Sequence, residues 1–125
     1  MKLRHGQIIN EQYRYGLTTG ANEIRHQRGR RDGVLELVWW TAWNDSQSDM
    51  LELTLYKWVR GLGHRLFYDV TFETKTLDYR LYEVYLQEGD EFGFVVTPNA
   101  AGDIIEIATE WIWHADRDKE PFEPR

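Results

Sequence analysis

The sequence predicts an all-β protein, an antiparallel β-sandwich with a jelly-roll-like arrangement of about seven or eight strands. Apolar and polar residues alternate with period two in one segment after another, which is typical of strands with one buried face. Turn-forming residues separate these segments at regular intervals. Helical spacing is not sustained anywhere in the 125 residues. A β-barrel is the structural alternative.

The alternation places seven strands. They cover residues 7–15, 34–43, 50–60, 65–73, 77–87, 91–97 and 104–113. The strand over 34–43 has large apolar residues on both faces, so we expect it to be buried on both sides. Residues 18–33 form a polar connection that is longer than most hairpin loops, and we interpret it as a basic loop or arm.

The chain has the size of one domain, since 125 residues and 15.0 kDa lie within the usual range for a single domain. We divide this domain into an N-terminal strand with the basic loop (7–33), a sandwich core (34–113) and a charged extended tail (114–125). The tail contains Pro121 and Pro124, which disfavour regular structure.

Composition excludes several classes of function. The absence of cysteine excludes disulfides, thiolate metal sites and thiol catalysis. No apolar run approaches the roughly 18 residues of a membrane span, and the first residues lack the apolar core of a secretory signal. We therefore expect cytoplasmic synthesis and no membrane partner.

Charge is distributed unevenly along the chain. Residues 1–31 contain seven basic and two acidic residues, a net charge of +5, so the rest of the chain carries −11 of the total of −6. The basic segment has three interpretations as a binding segment: it binds nucleic acid, pairs with the acidic body of its own chain, or pairs with a neighbouring subunit. The alternative is a solvated arginine-rich loop without a partner. The acidic body argues against nucleic acid, because it would repel phosphates.

Two groups of residues are the candidate contacts with a protein partner, either further copies of this chain or other subunits. The first group supplies guanidinium groups that can bind carboxylates on a neighbour in bidentate geometry, and it consists of Arg25, Arg28, Arg30 and Arg31. The second group is Tyr56 and Trp58, which alternate with apolar residues and are therefore predicted to face outward. Aromatic residues are common in interface hot spots.

The same aromatic excess supports an alternative, a glycan-binding platform. The chain contains 6 Trp and 7 Tyr, and exposed rings can stack on sugar rings. In this alternative the platform consists of Trp40, Tyr56, Trp58 and Tyr82.

Residues 84–113 resemble the closing strands of jelly-roll modules found in carbohydrate-binding, extracellular and virion proteins. A strand is followed by the turn Gly89-Asp90, an apolar strand, the turn Gly102-Asp103 and a strand that ends in Trp111-Ile112-Trp113. The resemblance implies a sandwich fold and glycan binding. It carries over no site residue.

Motifs for catalysis and cofactors are not found in the sequence. It has no nucleophile elbow, phosphate-binding loop or dinucleotide fingerprint, and its four histidines lack the spacing of a metal pair. We therefore expect no cofactor, no metal and no enzymatic activity. The predicted function is that of a structural subunit in a larger assembly, such as a virion component of the head-decoration, cement or tail-associated type, and the alternative is a carbohydrate-binding module.

Overall fold

The computed structural model describes residues 3–45, 50–66, 70–72, 77–80 and 84–115, and over these residues the chain forms ten strands and no helix. The strands are β1 (Ile8–Gly16), β2 (Asn22–Arg28), β3 (Gly33–Asn44), β4 (Met50–Val59), β5 (Leu62–Arg65), β6 (Val70–Phe72), β7 (Leu77–Arg80), β8 (Tyr85–Leu86), β9 (Asp90–Pro98) and β10 (Ile104–Ala115). The predicted all-β class is confirmed.

The strands form two antiparallel sheets. The first sheet has the order β1-β10-β3-β7, with β8 also paired to β3, and the second has the order β2-β9-β4-β5, with β6 also paired to β4. Because β5 and β6 share one neighbour and β7 and β8 share another, the ten strands fill eight positions. Consecutive strands β1 to β4 alternate between the sheets, an order typical of double Greek keys. The predicted β-sandwich is confirmed.

The core lies between the sheets and is dominated by large rings. Trp40 of the first sheet meets Phe94 of the second edge to face, with ring centroids 5.2 Å apart. Phe92 and Trp111 form a second such pair, also at 5.2 Å. Each of these side chains is fully buried. Edge-to-face contacts of this kind stabilise beyond the area that they bury, so the two ring pairs help to hold the sheets together.

A β-bulge in β3 changes which residues face the core. Leu37 pairs with Trp111 and Trp39 pairs with Glu110, so Val38 is the extra residue. The bulge reverses the alternation after Leu37. As a result Trp40 and Ala42 join Leu35 and Leu37 in the core, whereas simple alternation had separated them. Trp39 and Trp43 lie on the outer face and are half-buried.

The expectation of a long loop or arm over residues 18–33 is wrong in its central part, because β2 occupies Asn22–Arg28. This strand pairs with β9 at the edge of the second sheet. Ile24 is the one aliphatic side chain that it buries, so the sequence shows no apolar alternation there.

Two further boundaries differ from the prediction. The gap between the predicted strands 50–60 and 65–73 is a tight turn at Arg60 and Gly61, which have φ angles of 52° and 86°, and Leu62 already begins β5. The predicted strand 65–73 contains β6 and only the last residue of β5, and the predicted strand 77–87 contains β7 and β8. Most of the predicted tail, residues 116–125, lies outside the described residues.

Candidate functional site

Arg25 brings the two predicted groups of contact residues together on the outer face of the second sheet. Its guanidinium carbon lies 3.9 Å from the centroid of the Trp58 ring. The same guanidinium binds Glu91 at 2.9 Å and Glu23 at 3.1 Å. Tyr56 stacks on Trp58, with ring centroids 5.4 Å apart and the planes 19° from parallel. We call these five residues the arginine–tryptophan cluster.

The cluster buries Trp58, so the prediction that this ring is exposed is wrong. Trp58 is on the outer face, as the alternation predicted, but only 3% of it is exposed and it is not part of the core. Arg25 covers its face, and Gly63 of the neighbouring strand lies beside the indole. Tyr56 is half-buried.

The proposed glycan platform does not form as predicted. Trp40 is completely buried between the sheets because the bulge in β3 turns it inward. Trp58 is covered by Arg25. Tyr82 lies outside the described residues. Of the three described rings, only Tyr56 therefore retains accessible surface, whereas a sugar platform needs several exposed rings.

The remaining predicted arginines line an open groove at the end of β2. The groove has a volume of about 480 Å³ and is lined by residues 27–31 together with Glu88. Arg28 and Arg30 are exposed and form no side-chain hydrogen bond or ion pair with another described residue. Arg31 lies 4.0 Å from Glu88, and both side chains are more than half exposed. We call this surface the basic groove.

Sequence reasoning missed a buried polar cluster between the edge strands β1 and β2. The Tyr15 hydroxyl lies 2.7 Å from Nδ1 of His26, and Nε2 of His26 lies 3.1 Å from the Thr109 hydroxyl. The Trp111 indole donates to the same hydroxyl at 2.8 Å. We call these residues the polar seam. The polar seam links β1 and β10 of the first sheet to β2 of the second sheet.

A second β-bulge positions His26. The register of β2 against β9 shifts between Arg25 and Gln27, so His26 is the extra residue and both His26 and Gln27 turn inward. Gly93 permits this close approach, because the Ile24 carbonyl occupies the position of a Cβ at residue 93. A bulge has no simple sequence signature, so no pattern in the sequence indicates that His26 is buried.

The electrostatics of the polar seam favour a structural role. Burial lowers the pKa of His26 to about 4. Burial, with smaller contributions from Tyr13 and Glu11, raises the pKa of Tyr15 to about 12. A general acid or base works best when its pKa lies near the operating pH. Neither group is suited to proton transfer near neutral pH.

The edge strand β1 is more accessible than β2. All nine of its residues pair in unbroken register with β10, and no other described strand pairs with it. Ile8 is 56% exposed and Tyr13 is 50% exposed. β2, by contrast, carries the bulge and two arginines, features that protect edges from further pairing. β1 is therefore an exposed edge of the first sheet, whose other edge is formed by β7 and β8.

Neither a metal site nor a membrane-spanning helix is found in the part of the chain that the structure describes. No three acidic, histidine or cysteine side chains there are grouped to hold an ion. No helix in that part has the length and apolar character needed to cross a bilayer.

Comparison with known proteins shows a likeness of fold and no related sequence family. No protein-family model matches the sequence, and no curated protein matches it significantly. Among solved structures, the chain is similar to one from the Bacillus endospore appendages, described as a novel family of disulfide-linked pili. The likeness covers 92% of this chain and 96% of that one, with a TM-score of 0.53 and 12% sequence identity. At this identity the likeness concerns the fold.

Proposed function

We propose that this chain is a non-enzymatic structural subunit that joins other protein subunits, including copies of itself, in a larger assembly. The observation that carries the proposal is the exposed edge of β1, a nine-residue strand in unbroken register with its one neighbour. Such an edge presents backbone donors and acceptors to which a strand of another subunit can pair.

The register of β1 identifies the backbone groups that would bind a neighbour. The amide of Trp113 donates to Gln7, and the amide of Leu17 donates to Asp103. In an antiparallel pair every second residue bonds to its partner strand, so the odd-numbered residues of β1 face β10. The even-numbered residues, such as Asn10 and Gln12, direct their backbone groups outward.

The setting of the assembly is also part of the proposal. The fold of the Bacillus appendage chain supports an appendage or filament as the setting, whereas the virion setting rests on analogy alone. Because this sequence contains no cysteine, contacts formed by these residues involve no disulfide. The arginine–tryptophan cluster and the basic groove are the further candidate contacts with neighbours. The buried rings do not favour the glycan-binding alternative.

Replacing Gln12 by proline tests the proposal. Proline removes an outward-facing N–H and is tolerated at a sheet edge on the solvent side. We expect the unaltered chain to show larger species as its concentration rises in sedimentation velocity. Gln12→Pro should remain monomeric over the same range, with a melting temperature close to that of the unaltered chain.

Gln12→Ala is the matched control, because it removes the same side chain and keeps the N–H. We expect it to assemble like the unaltered chain. Assembly of Gln12→Pro to the same extent would contradict the role of β1. An unaltered chain that stays monomeric at every concentration and salt condition would contradict the proposed function itself.

A further inference from the structure

β1 is the longest regular sheet edge among the residues that the structure describes. Its nine residues, Ile8–Gly16, pair with β10 without a bulge. Of the other described edge strands, β5, β6, β7 and β8 have four residues or fewer, and the bulge at His26 interrupts β2. The described edge that matches β1 in length and regularity is therefore β1 itself, from a second copy of this chain.

The backbone of β1 restricts how two copies of the strand can pair. The groups that point away from β10 belong to the even-numbered residues from Ile8 to Gly16. In an antiparallel pair of two β1 strands, an even-numbered residue must therefore face an even-numbered residue. Each allowed register then has one residue that lies on a two-fold axis and faces its own counterpart.

Strand length and charge select one of these registers. A two-fold axis at Gln12 pairs all nine residues, whereas an axis at Tyr13 limits the pairing to residues 10–16. An axis at Glu11 would place two carboxylates directly opposite each other, and an axis at Arg14 would do the same with two guanidinium groups. Like charges in these positions are destabilising. The register centred on Gln12 is the one without either penalty.

The facing residues in this register are compatible in charge. On the outer face, Arg14 lies opposite Asn10 of the second copy, and both residues are exposed. On the other face, Glu11 lies opposite Tyr13, which is 50% exposed. Glu11 accepts a hydrogen bond from Gln27 at one carboxylate oxygen, and over the described residues its other oxygen and the Tyr13 hydroxyl have no hydrogen-bond partner. The two-fold axis repeats each of these pairs, so both copies gain the same contacts.

We propose that β1 pairs in antiparallel direction with β1 of a second copy of this chain, about a two-fold axis at Gln12. The first sheets of the two copies then form one continuous sheet. The proposal rests on the proposed function and names the strand and the register that the β1 edge binds. Such an interface is isologous and closes at two copies, so further growth of the assembly requires another surface.

Single cysteines in the full-length chain test the register, because the sequence contains none of its own. Two residues that face each other in a hydrogen-bonded antiparallel pair have Cα atoms about 5.5 Å apart, a distance that a disulfide bridges. Under mild oxidation, at concentrations that form larger species, Gln12→Cys should therefore cross-link to itself. A non-reducing gel measures the covalent dimer.

Leu62→Cys is the matched control for random collision, because Leu62 is 67% exposed and lies on β5. We expect Gln12→Cys to cross-link at least about tenfold faster than Leu62→Cys, because the paired strands hold the two thiols together. Equal rates would overturn the axis at Gln12.

Asn10→Cys and Arg14→Cys give a second, independent measurement. Each residue lies four positions along the strand from its own counterpart, roughly 13 Å away, so neither variant should cross-link alone. A mixture of the two should cross-link, because Asn10 faces Arg14 of the second copy. A mixture that fails to do so would overturn the register, as would rapid cross-linking of Glu11→Cys or Tyr13→Cys in place of Gln12→Cys.

Failure of this proposal is distinguishable from failure of the proposed function. If no β1 variant or mixture cross-links faster than Leu62→Cys while Gln12→Pro still prevents assembly, pairing of β1 with itself is overturned and the role of the β1 edge stands. A chain that is monomeric throughout overturns both proposals.

Discussion

The Tyr15 hydroxyl lies 2.7 Å from Nδ1 of His26, and this contact joins the two sheets at their open edges. Tyr15 belongs to β1 and His26 to β2, which are edge strands of different sheets. His26 also contacts Thr109 of β10. A buried imidazole with a partner at each nitrogen satisfies its hydrogen-bonding capacity as a neutral ring. The polar seam therefore stabilises the sandwich as long as His26 is uncharged.

Stability should decrease as the pH falls from about 6.5 to about 4. His26 has a pKa of about 4 in the folded chain, against 6.5 as its ordinary value. The unfolded chain therefore binds more protons over this range, and the stabilisation present above 6.5 is lost as the pH falls. The loss amounts to roughly 3 kcal/mol from this residue. Urea unfolding at pH 7 and pH 4.5 measures it, and a His26→Gln variant with the same pH dependence would contradict the assignment.

Removing the hydroxyl of Tyr15 should destabilise the fold through His26. Tyr15→Phe leaves Nδ1 of His26 buried without its partner, which costs about 1–3 kcal/mol. Equilibrium unfolding in urea measures the loss. In a His26→Leu background, the same Tyr15→Phe change should cost less, because the unpaired nitrogen is absent. Equal costs in both backgrounds would show that the two residues are not coupled.

Gly93 should be among the least replaceable glycines of the chain. A Cβ at this position would collide with the Ile24 carbonyl, which belongs to the backbone of the bulged strand β2. Gly93→Ala should therefore cost at least about 3 kcal/mol in the free energy of unfolding. Gly16→Ala is the control, because no heavy atom lies within 4 Å of its added Cβ. A melting temperature for Gly93→Ala equal to that of Gly16→Ala would refute the close approach.

Replacing Arg25 should expose Trp58 without unfolding the sheet. The guanidinium covers the indole, and the carboxylates of Glu23 and Glu91 hold it there. Arg25→Ala should shift tryptophan emission to longer wavelength and cost about 0.5–1 kcal/mol, the usual size of a cation–π contact near a surface. Arg25→Lys should cost less because it keeps the charge. An unchanged emission spectrum in Arg25→Ala would show that Trp58 is covered by something else.

Alternation in the sequence predicted the strands that bury apolar residues on one face. β4, β9 and β10 match their predicted ranges closely, because each places apolar side chains at every second position. β2 was missed because Ile24 is the one aliphatic residue that it buries. Edge strands with polar inward residues carry too little alternation for period-two reasoning.

The sequence predicted several residues of the candidate site but not how these residues are arranged. Arg25, Tyr56 and Trp58 are all contact residues predicted from the sequence, and the structure brings these three together. Their mutual contact depends on the pairing of β2 with β9 and of β9 with β4, which the sequence alone does not reveal. The inward position of Trp40 and the seam at His26 both depend on β-bulges. A bulge adds one residue to one strand, and no single-sequence pattern marks that residue.

Amide hydrogen exchange along β1 tests the central claim most directly. The even-numbered residues Asn10 and Gln12 direct their N–H groups away from β10, so in the dilute chain their amides should exchange rapidly while those of Tyr13 and Tyr15 are protected. At concentrations that form larger species, the account predicts that Asn10 and Gln12 become protected as well. Rapid exchange at both residues in the assembled chain would contradict it, because the edge of β1 would then not be the surface that neighbouring subunits bind.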